Sequence, residues 1–115
     1  MKIKINDKIN FDTEKRPLII AEISGNHNGS KKSFLKHIDQ AALNGADLIK
    51  IQTYEPKDIT LNSKKKAFVV KEGLWKNKNL FKLYKNAHTP FKWHVDAFKL
   101  AKKLKIPLFS SPFSL

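Results

Sequence analysis

Three apolar runs, separated by amphipathic helical patterns, constrain the fold of this 115-residue chain more than any other feature. The runs are "PLIIAEI" (17–23), "ADLIKIQTY" (46–54) and "IPLFSSPF" (106–113). The first has no polar alternation, which is typical of a strand covered on both faces of a parallel sheet. Alternating strands and helices predict an α/β fold whose parallel strands are joined by right-handed crossovers.

Two full helices are predicted between these strands. The first begins after Ser30, a good N-cap residue, and ends near Gly45. The second opens at Thr89-Pro90, with Thr as the cap and Pro in the first helical position. Their apolar stripes are Phe34, Ile38, Ala41 and Ala42 in the first helix, and Trp93, Ala97, Leu100, Ala101 and Leu104 in the second. A shorter helix is predicted within "NLFKLYKNAH" (79–88).

The first eleven residues alternate between apolar and polar around Asn6-Asp7, which predicts a short hairpin with a tight turn. Two architectures begin with such units: a doubly wound open sheet and an eight-stranded β/α barrel. A hairpin that closes the bottom of a barrel favours the second. We therefore predict a hairpin over residues 1–16 and the first three β/α units of a (β/α)8 barrel over residues 17–115.

The net charge of +13 indicates solvated lysines more than a nucleic-acid interface. Of the 23 basic residues only Arg16 is an arginine, and the lysines are scattered along the chain. Nucleic-acid recognition favours a basic patch, a recognised module and arginine forks. Attraction of an anionic substrate or a polyanion remains an alternative. Cysteine is absent, and no apolar run suits a bilayer span or a signal peptide, so a cytoplasmic location is expected.

Polar side chains collect where the three predicted strands end. They are Glu22, Ser24 and Asn26 after the first strand, Lys50 and Gln52 on one face of the second, and Ser110 and Ser111 in the third. Parallel α/β folds bind ligands at the carboxyl ends of their strands. We therefore expect these groups to meet in one site.

Lys50 is costly to bury in an apolar strand unless an anion accompanies it. One interpretation is a salt bridge to Glu22 that only joins two strands. The other is an anion site, in which Lys50 and the serine hydroxyls hold a phosphate or carboxylate. Glu22 would then act as an acid/base or accept a hydrogen bond from a sugar hydroxyl.

The four histidines show no metal-ligand spacing. His27 lies in the turn after the first strand, either as a ligand or as a residue that stabilises the bend. His88 and His94 are expected in capping or surface positions, and His37 in solvent. Core positions are predicted for three aromatic residues, Trp75, Trp93 and Phe98.

The segments "IIAEISGNHNGS", "GADLIKIQTY" and "LFSSPF" resemble the first three strand motifs of the sialic acid (nonulosonate) synthase family, in the same order. The connecting segment, with its Gly-Leu-Trp, Leu-Tyr, Thr-Pro and Trp-His elements, is closest to the pseudaminic acid synthase branch. The resemblance covers nearly the whole chain from about Pro17. It implies condensation of phosphoenolpyruvate with an open-chain N-acetylated amino sugar, and release of phosphate.

The resemblance also implies site residues. Lys50 and Ser111 would contact phosphoenolpyruvate, with Ser111 replacing the Thr of other branches and keeping its hydroxyl. Glu22 would contact the sugar and the metal-bound water, Gln52 and Phe113 would line the sugar pocket, and Asn26 would bind substrate from the turn. A divalent metal, Mn or Mg, is implied for the full-length enzyme, with its two histidine ligands in later strands.

The family's remaining five barrel strands and its C-terminal antifreeze-like domain are outside this sequence. We expect an N-terminal portion that is inactive alone, small-molecule substrates, neither a nucleic-acid nor a membrane partner, and a homodimeric full-length enzyme. N-acetylneuraminate or legionaminate synthesis stays open as an alternative. A basic polyanion-binding module and a complete small α/β domain with another ligand are the rival classes.

Overall fold

The computed structural model of the chain describes residues 1–5, 7 and 9–114. The described part contains a two-stranded antiparallel sheet, a three-stranded parallel sheet and four α-helices. In chain order the elements are β1 (Lys2–Lys4), β2 (Asn10–Asp12), β3 (Ile20–Glu22), α1 (Lys31–Leu43), β4 (Leu48–Thr53), α2 (Pro56–Ile59), a 3₁₀ turn (Lys66–Phe68), α3 (Leu80–Ala87), α4 (Phe91–Leu104) and β5 (Leu108–Pro112).

The parallel sheet has the order β3-β4-β5, so its strands are neighbours in the order in which the chain makes them. The predicted α/β class is confirmed. β4 is the central strand, and its alternate residues Ile49 and Ile51 are buried against the helices. The residues between and after them, Lys50 and Gln52, face the opposite side of the sheet.

The hydrophobic core lies between the parallel sheet and the two long helices. Phe34 and Ile38 of α1 are fully buried, and Trp93 and Ala97 of α4 complete the layer. Ser30 caps α1 as predicted, because its hydroxyl accepts a hydrogen bond of 3.2 Å from the Ser33 N–H. The two amphipathic stripes seen in the sequence therefore form the core.

The predicted cover on both faces of the first strand is wrong for the described chain. Ile20 in β3 is 49% exposed and Phe109 in β5 is 38% exposed. Both long helices pack on the same face of the sheet, since buried residues of α1 and α4 share one core with Ile49 and Ile51 of β4. The other face of the sheet is left open by the described residues.

The elements are shorter than predicted, and α4 begins one residue later. Pro90 rather than Thr89 holds the N-cap position, because the buried Thr89 hydroxyl contacts another side chain. β1 and β2 pair in antiparallel register with Ile3 opposite Phe11. The predicted tight turn includes Asn6, which is outside the described residues.

Two of the three predicted core aromatic residues are exposed. Trp93 is buried as expected, but Trp75 is 55% exposed in the loop before α3. Phe98 is 45% exposed because it lies outside the buried stripe of α4, on a second apolar stripe with Phe91 and Val95. The described part of the chain leaves this second stripe uncovered.

Replacement of Phe34 by Ala should lower the free energy of unfolding by about 3–5 kcal/mol, because it opens a cavity in the core layer. Leu43→Ala is the matched control on the same helix; its side chain is 69% exposed, and its effect should be within about 0.5 kcal/mol. Urea denaturation followed by circular dichroism measures both. Equal effects of the two substitutions would contradict the assigned core.

Candidate functional site

A salt bridge between Glu22 and Lys50 lies at the centre of the open sheet face. The β3–β4 register places the two residues side by side, and Lys50 Nζ is 2.5 Å from Glu22 Oε2. The Ser24 hydroxyl donates to the other carboxylate oxygen, Oε1, at 3.2 Å. Both side chains of the pair are 33% exposed, so the pair is accessible to a ligand.

Gln52 and Ser111 extend the polar surface along the same face. They are register partners on β4 and β5, and adjacent strands lie about 4.8 Å apart. Within the described chain, neither side chain has a hydrogen-bond partner. The structure thus brings Glu22, Lys50, Gln52 and Ser111 to one open face, as the sequence predicted.

Phe113 and Asn26 lie at the edges of this face. The Phe113 ring packs edge-on against Tyr54 with ring centroids 5.4 Å apart, just after β5 ends. Asn26 is exposed, but its side-chain amide donates to the Ile23 carbonyl at 3.0 Å. Asn26 is therefore engaged in the turn, and its sequence-predicted substrate contact stays a prediction.

Ser110 does not join the site, so the expectation that both serines meet the ligand is wrong. Residues alternate across a strand, and Ser110 faces the helices while Ser111 faces the open side. The Ser110 hydroxyl contacts the Thr53 hydroxyl, which is 2.7 Å from His94 Nε2. This internal network links the ends of β4 and β5 to α4; strand alternation alone would have assigned Ser110 to it.

His27 is fully buried and stabilises the turn after β3, which is one of its two predicted roles. Its Nδ1 accepts from the Gly29 N–H at 3.0 Å, so the proton of the neutral ring is on Nε2, 3.2 Å from Thr89 Oγ1. Burial lowers the pKa of His27, and the charges of His88 and His37 lower it further, against a smaller opposing effect of the Ala87 carbonyl.

The other histidines divide between expected and unexpected positions. His88 ends α3, and its Nδ1 donates to the Lys85 carbonyl at 2.7 Å, which is the predicted capping role. The sequence predicts His37 in solvent, but its Nδ1 is buried and lacks a hydrogen-bond partner among the described residues. His94 is half-buried in the network described above.

One large groove in the described structure does not contain the strand-end residues. Its volume is about 950 Å³, and it lies between the turn at 25–29 and α3. The strand-end residues face the open surface of the sheet instead. We therefore assign the candidate site from register and side-chain chemistry.

Among residues 1–5, 7 and 9–114, no group of three histidine or carboxylate residues is placed to hold a metal ion. Over the same residues, no helix is both long enough and apolar enough to cross a membrane.

A model of the NeuB family matches residues 37–115. Pseudaminic acid synthase from Campylobacter jejuni subsp. jejuni is 50% identical over 105 residues, which are 91% of this chain and 31% of that protein. Pseudaminic acid synthase from Helicobacter pylori is 45% identical over 98 residues, which are 85% of this chain and 29% of that protein. The chain thus spans about a third of the length of these relatives.

A solved structure shares the fold. The N-acetylneuraminic acid (sialic acid) synthetase from Leptospira borgpetersenii serovar Hardjo-bovis, in complex with citrate, superposes with a TM-score of 0.76 at 25% identity. The match covers 100% of this chain and 35% of that chain.

The pKa of His27 should lie below its ordinary value of 6.5, which NMR titration of the ring resonances measures. The unfolded chain binds this proton more readily than the folded chain does. The contribution of His27 to the free energy of unfolding should therefore be fully present above about pH 6.5 and be lost as the pH falls through the folded-state pKa. Protonation of Nδ1 would also break the hydrogen bond from Gly29. A His27 pKa of 6.5 or higher in the folded chain would contradict the assigned burial of the ring.

Proposed function

The chain belongs to the NeuB family, and we propose that its open strand-end face is part of the active site of a nonulosonate synthase. The proposed reaction of the whole protein condenses phosphoenolpyruvate with an N-acetylated amino sugar and releases phosphate. In this reaction, C3 of phosphoenolpyruvate attacks the sugar aldehyde, water adds at C2, and phosphate leaves by cleavage of the C–O bond.

The proposed product is pseudaminic acid. This choice is supported by identities of 50% and 45% to proteins named pseudaminic acid synthase. N-acetylneuraminate and legionaminate synthesis are the alternatives within the same chemistry, since the relatives extend well beyond the matched segment.

We place residues 17–115 as the first three β/α units of a (β/α)8 barrel, with the hairpin at its base. Sequential strand order with both long helices on one face supports a barrel, because a doubly wound sheet reverses its order and covers both faces. The open sheet face would be the barrel interior. The exposed second stripe of α4 would pack against a later unit of the whole protein, which we propose to be a cytoplasmic homodimer.

Lys50 is the proposed anion ligand for phosphoenolpyruvate. Its ammonium has three donors, so it can keep its contact with Glu22 and still donate to a phosphate or carboxylate. A partly exposed pair of this kind contributes about 0–1 kcal/mol, so rearranging it on binding costs little. Ser111, two strand positions from the Lys50 level, would add a hydroxyl donor to the same anion.

Glu22 is the proposed sugar contact, with Gln52 and Phe113 lining the sugar side. A carboxylate accepts hydrogen bonds from sugar hydroxyls, and Glu22 keeps one oxygen oriented by Ser24. Gln52 provides an amide without a partner in the described chain, next to Ser111. The substrates would therefore lie with the anion over Lys50 and the sugar toward the strand ends.

The described residues do not by themselves fit the divalent metal that the family implies. Among the described residues of β3, β4 and β5, Glu22 is the one carboxylate, and both of its oxygens already contact Lys50 or Ser24. We assign no step of the reaction to a metal on these residues; Mn or Mg ligands would belong to the rest of the whole protein.

A single observation carries the proposal: a lysine in the central strand faces an open surface beside a carboxylate, an amide and a hydroxyl. The test is a chimera in which this chain replaces the matching segment of the Campylobacter jejuni pseudaminic acid synthase. Lys50→Met in the chimera should lower kcat/KM at least about 100-fold, because a preorganised charge on the anion is lost. Lys36→Met, an exposed lysine of α1, is the matched control and should change kcat/KM less than about twofold.

Phosphate release from phosphoenolpyruvate in the presence of the amino sugar measures the rate. Equal kcat/KM values for the Lys50→Met and Lys36→Met chimeras would contradict the proposal that Lys50 binds the anion. Salt-dependent binding of DNA by the 115-residue chain, with no effect of Lys50→Met, would favour the polyanion-binding alternative.

The purified 115-residue chain should not turn over phosphoenolpyruvate with the amino-sugar precursor of pseudaminic acid, N-acetylneuraminate or legionaminate. The open face supplies only some of the contacts that the reaction needs. Turnover, measured by the same phosphate assay and abolished by Glu22→Gln, would contradict this division of the site.

A further inference from the structure

The turn between β3 and α1 adopts a backbone that side chains rarely take. Ser24 and Asn28 have positive φ angles of 47° and 49°, and Gly29 has φ 72°. Two non-glycine residues in this region within five positions are energetically costly, so contacts elsewhere must hold the turn in place.

His27 supplies those contacts from inside the turn. It is fully buried, and both of its ring nitrogens are hydrogen-bonded, to the Gly29 N–H and to the Thr89 hydroxyl. Its ring also packs edge-on against Phe34 of α1 and Trp93 of α4, with centroid distances of 5.8 Å and 5.2 Å. Thr89 is itself only 2% exposed and lies in the link between α3 and α4.

A second contact joins the turn to the same link. A Cβ added at Gly25 would lie 2.7 Å from the Ala87 carbonyl oxygen, so the backbone of the turn lies directly against the end of α3. Gly25 has no positive φ angle in the structure, and this close approach is the physical reason for glycine here. The turn is therefore fixed at Gly25 and at His27 against residues 87–89.

Ser24 connects this turn to the candidate site. Its hydroxyl donates to Glu22 Oε1, while Lys50 holds Oε2. We propose that His27 and Thr89 are positioning residues, which fix the turn so that Ser24 orients the Glu22 carboxylate. The importance of that orientation for catalysis rests on the proposed function.

The alternative is that the His27–Thr89 contact only stabilises the fold. In that case, loss of the Thr89 hydroxyl would lower the melting temperature and leave the Glu22–Lys50 pair unchanged. If Thr89 has a positioning role, loss of its hydroxyl should also shift the Glu22–Lys50 pair. Thr89→Ser, which restores the hydroxyl, should then reverse that shift.

The first test uses NMR of the 115-residue chain, with the Glu22 carboxylate ¹³C and Lys50 Nζ resonances assigned through Glu22→Gln and Lys50→Arg. Thr89→Val should shift both resonances, and Thr89→Ser should restore them.

Ser30→Ala is the matched control, since it removes the hydroxyl that caps α1 and has no hydrogen bond to Glu22. It should lower the melting temperature without moving the pair. A Thr89→Val spectrum that keeps both resonances in place, with only a lower melting temperature, would overturn the proposal.

The second test measures kinetics in the chimera described above. It can be carried out even if Thr89→Val unfolds the isolated chain. Thr89→Val should lower kcat about tenfold per folded molecule, with the KM for phosphoenolpyruvate changed less than about threefold, and Thr89→Ser should regain most of the rate. An unchanged kcat per folded molecule would overturn the positioning role. An inactive unmodified chimera would instead count against the proposed function, and the NMR result would still decide the positioning role.

Discussion

The charge pair of Lys50 and Glu22 marks the open, polar face of the parallel sheet, and the opposite face packs against the helices. An ammonium in the central strand of a sheet requires an anion beside it and an open surface on its side. The parallel β3–β4 register supplies the anion, with the two charged atoms 2.5 Å apart. Both long helices pack on the other face, where Ile49 and Ile51 are buried. One strand therefore provides the core on one side and the site on the other.

A binding role suits this pair better than a stabilising role. A salt bridge that is one-third exposed contributes little to folding, so its removal need not unfold the chain. Its accessible position, beside an amide and a hydroxyl that lack partners in the described chain, is better suited to binding an anion. Because the chain belongs to the NeuB family, we propose that this anion is phosphoenolpyruvate.

The sequence predicts the order of the elements and the common face of four residues of the candidate site, because strand alternation and helical periodicity are local patterns. Glu22, Lys50, Gln52 and Ser111 could be placed on one face from alternation and parallel order alone. The open face was not apparent from the apolar run of the first strand, because such a run does not show which elements cover each of its faces. Thr89 was assigned as a cap because its hydroxyl suits that role, whereas its actual partner, His27, is 62 residues away in the sequence.

The most direct test of the central claim is a titration of the ¹⁵N-labelled chain with phosphoenolpyruvate, followed at the lysine Nζ resonances. The account predicts that the Lys50 resonance shifts in a saturable manner, and that Gln52 and Ser111 backbone signals move with it. Lysines on the helices, such as Lys36 and Lys82, should shift only at high ligand concentration. Uniform, unsaturable shifts across all the lysines, with none specific to Lys50, would contradict an anion site at the strand ends.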